Sequence, residues 1–350
     1  ATAQAEDRVY KVTTPHYEIR TTISEDFAYL VGDHMESIYR EYRSRLSNLF
    51  GGGKTQKFQV FVYRTEEEYL EAVGGQMRGS AGIFIPRRKL LAGWLGDREP
   101  RRLFRVLYHE GFHQFVFFYI SPHTPIWLNE GMAEYFSEAT WMGTRFKIGE
   151  VAPVRIALLH QAYERGNQLP LKSIVTMSHQ DWAMNVRGDS RTAALQYNQS
   201  WALVHFFIHG YRGRLRPRFV KYVKLIKNGQ DAEKAFAHCF GSDFDKLERA
   251  FKKYVLQLKP SEKYVCQMHV EAICYIMRNE IERGTDPKDL DNIYQRLRKS
   301  EWRLSFTDGS TLSNRNGEGA EKLFHCPEDR GKGVSYQLKY DERTRLPQVI

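Results

Sequence analysis

Residues 103–118 read Leu-Phe-Arg-Val-Leu-Tyr-His-Glu-Gly-Phe-His-Gln-Phe-Val-Phe-Phe, and the way this stretch folds decides what surrounds it. Leu103, Phe104, Val106, Leu107, Phe112, Phe115, Val116 and Phe118 make it a strongly apolar helix, of the kind that is buried. Residues i and i+4 lie one turn apart on the same helix face, so His109 and His113 can aim ring nitrogens at one point. A buried helix has little reason to carry His-Glu-x-x-His unless a metal or polar partners satisfy it. Glu110, beside the first histidine, is placed to take a proton from a metal-activated water without being a ligand itself. Gly111 costs about 1 kcal/mol relative to Ala inside a helix, which predicts that something packs close to the backbone there.

A catalytic zinc usually keeps three protein ligands and one position for water, so a third ligand is required. The best candidate is Glu130, in the run Pro125-Ile-Trp-Leu-Asn-Glu-Gly-Met-Ala-Glu-Tyr-Phe136. The competing reading is a pair of core histidines satisfied by polar neighbours.

His-Glu-x-x-His followed by Trp-Leu-Asn-Glu-Gly-x-Ala-x-Tyr resembles the gluzincin metallopeptidases, the group of thermolysin and aminopeptidase N, and in particular the peptidase-MA-like domains of secreted bacterial proteins. The resemblance spans residues 10–258 and is specific around 105–136. It implies Glu130 as the third ligand of one Zn2+ and Glu134, one turn later, as the carboxylate that orients a zinc histidine by accepting its second N–H. It implies that Tyr197, in Gln196-Tyr-Asn-Gln-Ser-Trp201, donates to the oxyanion of a tetrahedral intermediate. It also implies that the strand before the motif helix, either 81–85 or 90–94, forms a sheet edge that pairs with the substrate backbone. The Gly-x-Met-Glu-Asn segment of the aminopeptidase branch does not occur, which favours endopeptidase over exopeptidase action.

With 350 residues, 42% hydrophobic and 13% aromatic, the chain can bury one sizeable core and a smaller second one. No apolar run is long enough to span a bilayer, so no membrane span is expected. The opening Ala-Thr-Ala-Gln-Ala looks like a signal-peptidase remnant, giving the expectation of a secreted or periplasmic protein, although a boundary chosen within a longer chain would look the same. The formal charge of +10 is spread through segments such as Arg212–Lys227 and Arg283–Arg303 and belongs to no recognised nucleic-acid module. A solvated basic surface is the simpler reading, and no nucleic-acid partner is expected. Cys239, Cys266, Cys274 and Cys326 form no C-x-x-C pair, which argues against zinc-finger and thioredoxin-like roles. One or two disulfides remain open, but Cys266 and Cys274 sit roughly 12 Å apart along a predicted helix and cannot bridge each other.

Along the chain, the patterns predict a strand at 16–23, a long amphipathic helix at 24–50, a strand at 58–63 and a capping box at Thr65–Glu68 opening a helix to Val73. Gly51-Gly-Gly-Lys-Thr55 lacks the first glycine and the preceding strand of a phosphate loop, and reads as a helix C-cap and turn. The motif helix runs from Pro100 to about Tyr119, residues 121–125 break it, and a second helix at 126–139 carries Glu130. His123 in that link is either a substrate contact or, more simply, a solvent-exposed loop residue. A strand at 146–151 precedes helices at 154–165, 192–209, 217–227, 231–240 and 242–258. Within them, His205 and His209 repeat the i, i+4 spacing with no acid after the first, and read as packing.

The expectation is an α+β fold: a small mixed-sheet lobe plus a largely helical lobe of gluzincin type at 1–260, and a smaller α+β accessory domain of unassigned role at 261–350. Its expected activity is zinc-dependent hydrolysis of a peptide or protein substrate, with Glu110 as general base. The alternative is a non-catalytic metal-containing binding or envelope-assembly protein on the same fold.

Overall fold

The computed structural model describes residues 8–46, 57–74, 79–96, 100–141, 145–282, 289–306, 311–325, 338–340 and 347–349. The fold is mixed α+β and mostly helical, as expected. The chain divides into two compact units, Ala1–Gly149 with Leu158–Leu258, and Glu150–Ala157 with Lys259–Ile350.

The first unit opens on a hairpin of β1 (Tyr10–Thr13) and β2 (Tyr17–Thr21), followed by α1 (Glu25–Arg45), β3 (Phe58–Tyr63), α2 (Glu66–Val73), β4 (Gly82–Ile85) and β5 (Leu90–Trp94). The five strands form one sheet in the order β1-β2-β3-β5-β4. β2, β3 and β5 run parallel, and each outer strand is antiparallel to its neighbour. β4 is therefore an edge and β5 is interior.

The Ser24 side chain caps α1 by accepting from the Phe27 N–H, with Glu25 and Asp26 in the favourable first turn. Val31, Met35, Ile38, Tyr39 and Tyr42 form its fully buried stripe. The predicted continuation to residue 50, and the Gly51–Thr55 turn with it, lie outside the described residues beyond Leu46. α2 opens on the expected capping box between Thr65 and Glu68. β1 was not foreseen, because four residues with a lysine among them carry almost no alternation signal.

Next come α3 (Pro100–Tyr119) and α4 (Ile126–Ser137), then the short strands β6 (Thr140–Trp141) and β7 (Phe146–Lys147). The strand expected over 146–151 stops at Lys147, since Gly149 turns the chain at φ +87°. The rest of the helical region is α5 (Pro153–Arg165), α6 (Leu171–Thr176), α7 (His179–Gly188), α8 (Ser190–Gly213), α9 (Arg216–Lys227), α10 (Ala232–Phe240) and α11 (Phe244–Gln257). α6 and α7 are absent from the pattern reading: α6 is only six residues long, and α7 buries only Trp182.

Two glycines let the helices around α3 and α4 close up. A methyl group on Gly111 would sit 2.9 Å from Met35 Cε and 3.3 Å from the Tyr42 hydroxyl, so α1 crosses the motif helix where the sequence predicted close packing. A methyl group on Gly131 would lie 2.5 Å from the Ser200 carbonyl oxygen, because the backbone of α8 crosses α4 there. Arg105 of α3 pairs at 2.6 Å with Glu138, whose side chain is 1% exposed, joining the two helices again near the end of α4.

The second unit holds α12 (Glu262–Glu282), α13 (Leu290–Lys299), β8 (Trp302–Ser305), β9 (Thr311–Asn314), α14 (Glu318–Phe324), β10 (Leu338–Tyr340) and β11 (Pro347–Val349). Ile273, Met277, Ile293 and Leu323 form its core. The Asn314 side chain links the end of α13 to the start of α14, donating to the Leu297 and Ser300 carbonyls and accepting from the Gly319 and Ala320 N–H groups. Cys266 is disulfide-bonded, whereas Cys239 and Cys274 are thiols, so Cys266 and Cys274 are indeed not joined to each other. Among the described residues, no helix is long and apolar enough to cross a membrane.

Candidate metal centre

α3 begins with Pro100, whose missing N–H costs nothing in a first turn. Leu103, Leu107, Phe112 and Phe115 are buried in the unit's core, which leaves His109, Glu110 and His113 half-buried on another side of the helix. These three offer ligand atoms that all lie within 4.8 Å of one another, a cluster able to hold a metal ion.

α4 brings a fourth group. Glu130 Oε2 lies 3.3 Å from His109 Nε2 and 3.4 Å from His113 Nε2, and the two Nε2 atoms are 3.0 Å apart. The two Glu130 contacts are ion-pair separations rather than directed hydrogen bonds, since Glu130 Oε2 is itself buried and has no hydrogen-bond partner.

The outer nitrogens are held by acceptors. His109 Nδ1 faces Glu134 Oε1 at 3.3 Å, and His113 Nδ1 faces Asn129 Oδ1 at 3.0 Å. A carboxylate and an amide oxygen can only accept, so both rings carry their proton on Nδ1 and turn an Nε2 lone pair inward. With both rings neutral, two lone pairs and a carboxylate oxygen converge within 3.4 Å. That arrangement repels itself unless a positive charge enters it. The titration behaviour points the same way. Burial opposes charge on His109, yet the carboxylates of Glu130, Glu134 and Glu110 around it raise its pKa well above the ordinary value. Burial pushes Glu130 up, and the two rings outweigh it and hold the carboxyl at about 2.

Glu110 is engaged differently. Its Oε2 accepts the Phe84 N–H of edge strand β4 at 2.8 Å, which holds the carboxylate between α3 and the sheet. Beside it opens a cleft of about 220 Å3, lined by Phe84 and Pro86 from the edge, His113, Val116 and Phe117 from α3, and Ser121, Pro122, Asn129 and Glu130. His123 is exposed and does not line it. Tyr197, on α8, stacks edge-on with Trp182 of α7 at 5.0 Å. Burial first, then the nearby negative charge of Glu130, with smaller contributions from Glu134 and Glu110, raises its pKa. The hydroxyl thus stays protonated within the electrostatic reach of the site.

Of the residues singled out from sequence, Glu130 and Glu134 of α4 meet the α3 motif here, while Tyr197 of α8 lies within reach of their charge. Asn129 and the Phe84 N–H were missed. Asn129 had a usable signal, since each ligating histidine needs an acceptor for its other nitrogen and only one had been assigned. A backbone N–H has none. His205 and His209 form no second centre: His205 Nε2 faces the Gly149 carbonyl, and the two rings meet the hydroxyls of Tyr254 and Tyr135.

A family model described as "Protein of unknown function (DUF1570)" matches residues 105–226, which include all six of His109, Glu110, His113, Glu130, Glu134 and Tyr197. No curated protein matches the chain significantly.

Proposed function

We propose that this chain is a zinc-dependent peptidase of gluzincin type, with His109, His113 and Glu130 holding one Zn2+. The observation that carries this is the inward triangle of edges 3.0, 3.3 and 3.4 Å. A tetrahedral zinc with bonds of about 2.0–2.1 Å to nitrogen and oxygen has ligand–ligand edges of roughly 3.3–3.4 Å. A neutral-imidazole and carboxylate donor set suits that ion.

When bound, such an ion polarises a carbonyl oxygen and acidifies water. The protein's own groups supply the rest. Glu110, not needed as a ligand and held by the Phe84 N–H, takes a proton from the attacking water and returns it to the leaving amine. Tyr197, kept protonated, donates to the developing oxyanion. An extended peptide lies along the outer edge of β4, with an apolar side chain between Phe84, Val116 and Phe117. The reading favours internal peptide bonds over chain ends.

The test is the purified chain with a peptide library, after chelator treatment and after adding zinc back. Zinc-restored cleavage that Glu110→Gln abolishes supports the proposal. Full biological effect from a zinc-loaded Glu110→Gln protein would favour a non-catalytic binding role.

A further inference from the structure

Between Asp189 and Asp231 the chain contains no acidic residue. Both of those carboxylates are N-caps, occupied by the first N–H groups of α8 and α10. Within this interval Arg212, Arg214, Arg216, Arg218, Lys221 and Lys224 are all exposed. None of the six forms an ion pair among the described residues.

Their placement follows from the helix. Phe219, Tyr222, Val223 and Ile226 are the buried face of α9. At 100° per residue, Lys221 and Lys224 fall on the opposite side, Arg218 lies about a quarter-turn from the buried centre, and Arg216 lies on the other shoulder, beside Val223. From Arg218 to Lys224 the row rises over six residues, about 9 Å. Its start is set by an unusual turn. Tyr211 and Arg212 are consecutive non-glycine residues in the left-handed region, at φ 51° and 58°, after helical geometry ends at Gly210. This backbone costs free energy, and it holds the Tyr211 ring 57% exposed at the head of the row.

We propose that the outward face of α9, with the turn at 211–215, is a docking surface for an anionic lipid bilayer. A plane of headgroup phosphates can meet a single convex row of cations without any groove. An exposed tyrosine at one end suits the headgroup level, where its ring and hydroxyl meet different surroundings. Single-stranded nucleic acid is instead gripped by aromatics interleaved with cations along a channel, and here the aromatics of α9 are buried. Because its apolar side is committed to the protein's own core, α9 lies against the surface and does not insert.

The experiment is co-sedimentation of the full chain with phosphatidylglycerol/phosphatidylcholine vesicles and with pure phosphatidylcholine vesicles, at low and high salt, with duplex DNA as competitor. The expected result is salt-sensitive binding to the anionic vesicles alone. It weakens on the order of a hundred- to a thousand-fold when Arg216, Arg218, Lys221 and Lys224 are all changed to Gln, and persists when Lys246, Arg249, Lys252 and Lys253 of α11 are changed instead. If the fourfold α9 variant melts early, the pair Lys221→Gln and Lys224→Gln is read in its place, at roughly ten-fold or more. Equal losses in the α9 and α11 variants would reduce the effect to net charge and overturn the proposal, as would absence of anionic preference. Tighter binding to duplex DNA than to vesicles would assign the row to nucleic acid and overturn it too.

Discussion

Two histidine pairs in this chain share the same i, i+4 spacing, His109 with His113 on α3 and His205 with His209 on α8. On α8, His205 Nδ1 meets the Tyr254 hydroxyl at 2.7 Å, its Nε2 meets the Gly149 carbonyl at 3.2 Å, and His209 Nε2 meets the Tyr135 hydroxyl at 2.8 Å. A hydroxyl can donate or accept, so this pair is satisfied as neutral rings. On α3 the outer nitrogens face pure acceptors, and the inner ones face each other and a carboxylate. Spacing makes either pair a candidate. What the second nitrogen meets decides which pair asks for a cation.

The comparison breaks most visibly at Glu130. Glu130→Ala is expected to abolish metal retention and cleavage together, by more than the roughly 10–100-fold that an outer partner costs, as read by metal analysis of the purified variant. Glu110→Gln separates the two properties: cleavage falls by about 10²–10⁴-fold while metal content stays that of the wild type. Asn129→Ala and Glu134→Ala each weaken metal affinity by about 10–100-fold in chelator competition, with the fold intact by circular dichroism. His209→Phe, on the other pair, leaves metal content and cleavage unchanged. It removes the hydrogen bond between the His209 ring and the Tyr135 hydroxyl at a cost of about 1 kcal/mol, seen as a Tm lowered by a few degrees.

Acid sharpens the contrast. Burial, with the neighbouring His209 next, depresses the His205 pKa to about 3, and burial alone does the same for His34. The unfolded chain takes up these protons near pH 6.5, whereas the folded chain does not until about pH 3. Their stabilising contribution is therefore complete above pH 6.5 and is lost as pH falls toward 3, with a slope of up to about 1.4 kcal/mol per pH unit for each ring. Denaturant titrations between pH 7 and 5 should show a shallower decline for His205→Gln than for the wild type. An unchanged slope would mean that this ring is not held neutral.

Much of this centre was legible before the structure. His109, Glu110 and His113 are encoded by local spacing, which a helix converts directly into geometry. Glu130 and Glu134 could be placed because α4 is a short helix one tight link away. Gly111 announced a close approach, though not that α1 would make it. The Phe84 N–H was illegible, since its aim depends on β4 being the edge, a property of the order in which strands from across the unit pair. α7 leaves little periodicity in the sequence, since it is held by one buried tryptophan. The alternation at 146–151 overshoots β7 because it does not reveal where a positive φ turns the chain.

The most direct test is anomalous X-ray scattering at the zinc edge from crystals of the zinc-loaded protein. One peak is expected, about 2.0–2.1 Å from His109 Nε2, His113 Nε2 and a Glu130 oxygen. A strong peak held by other residues, or none at this triangle after zinc loading, would contradict it.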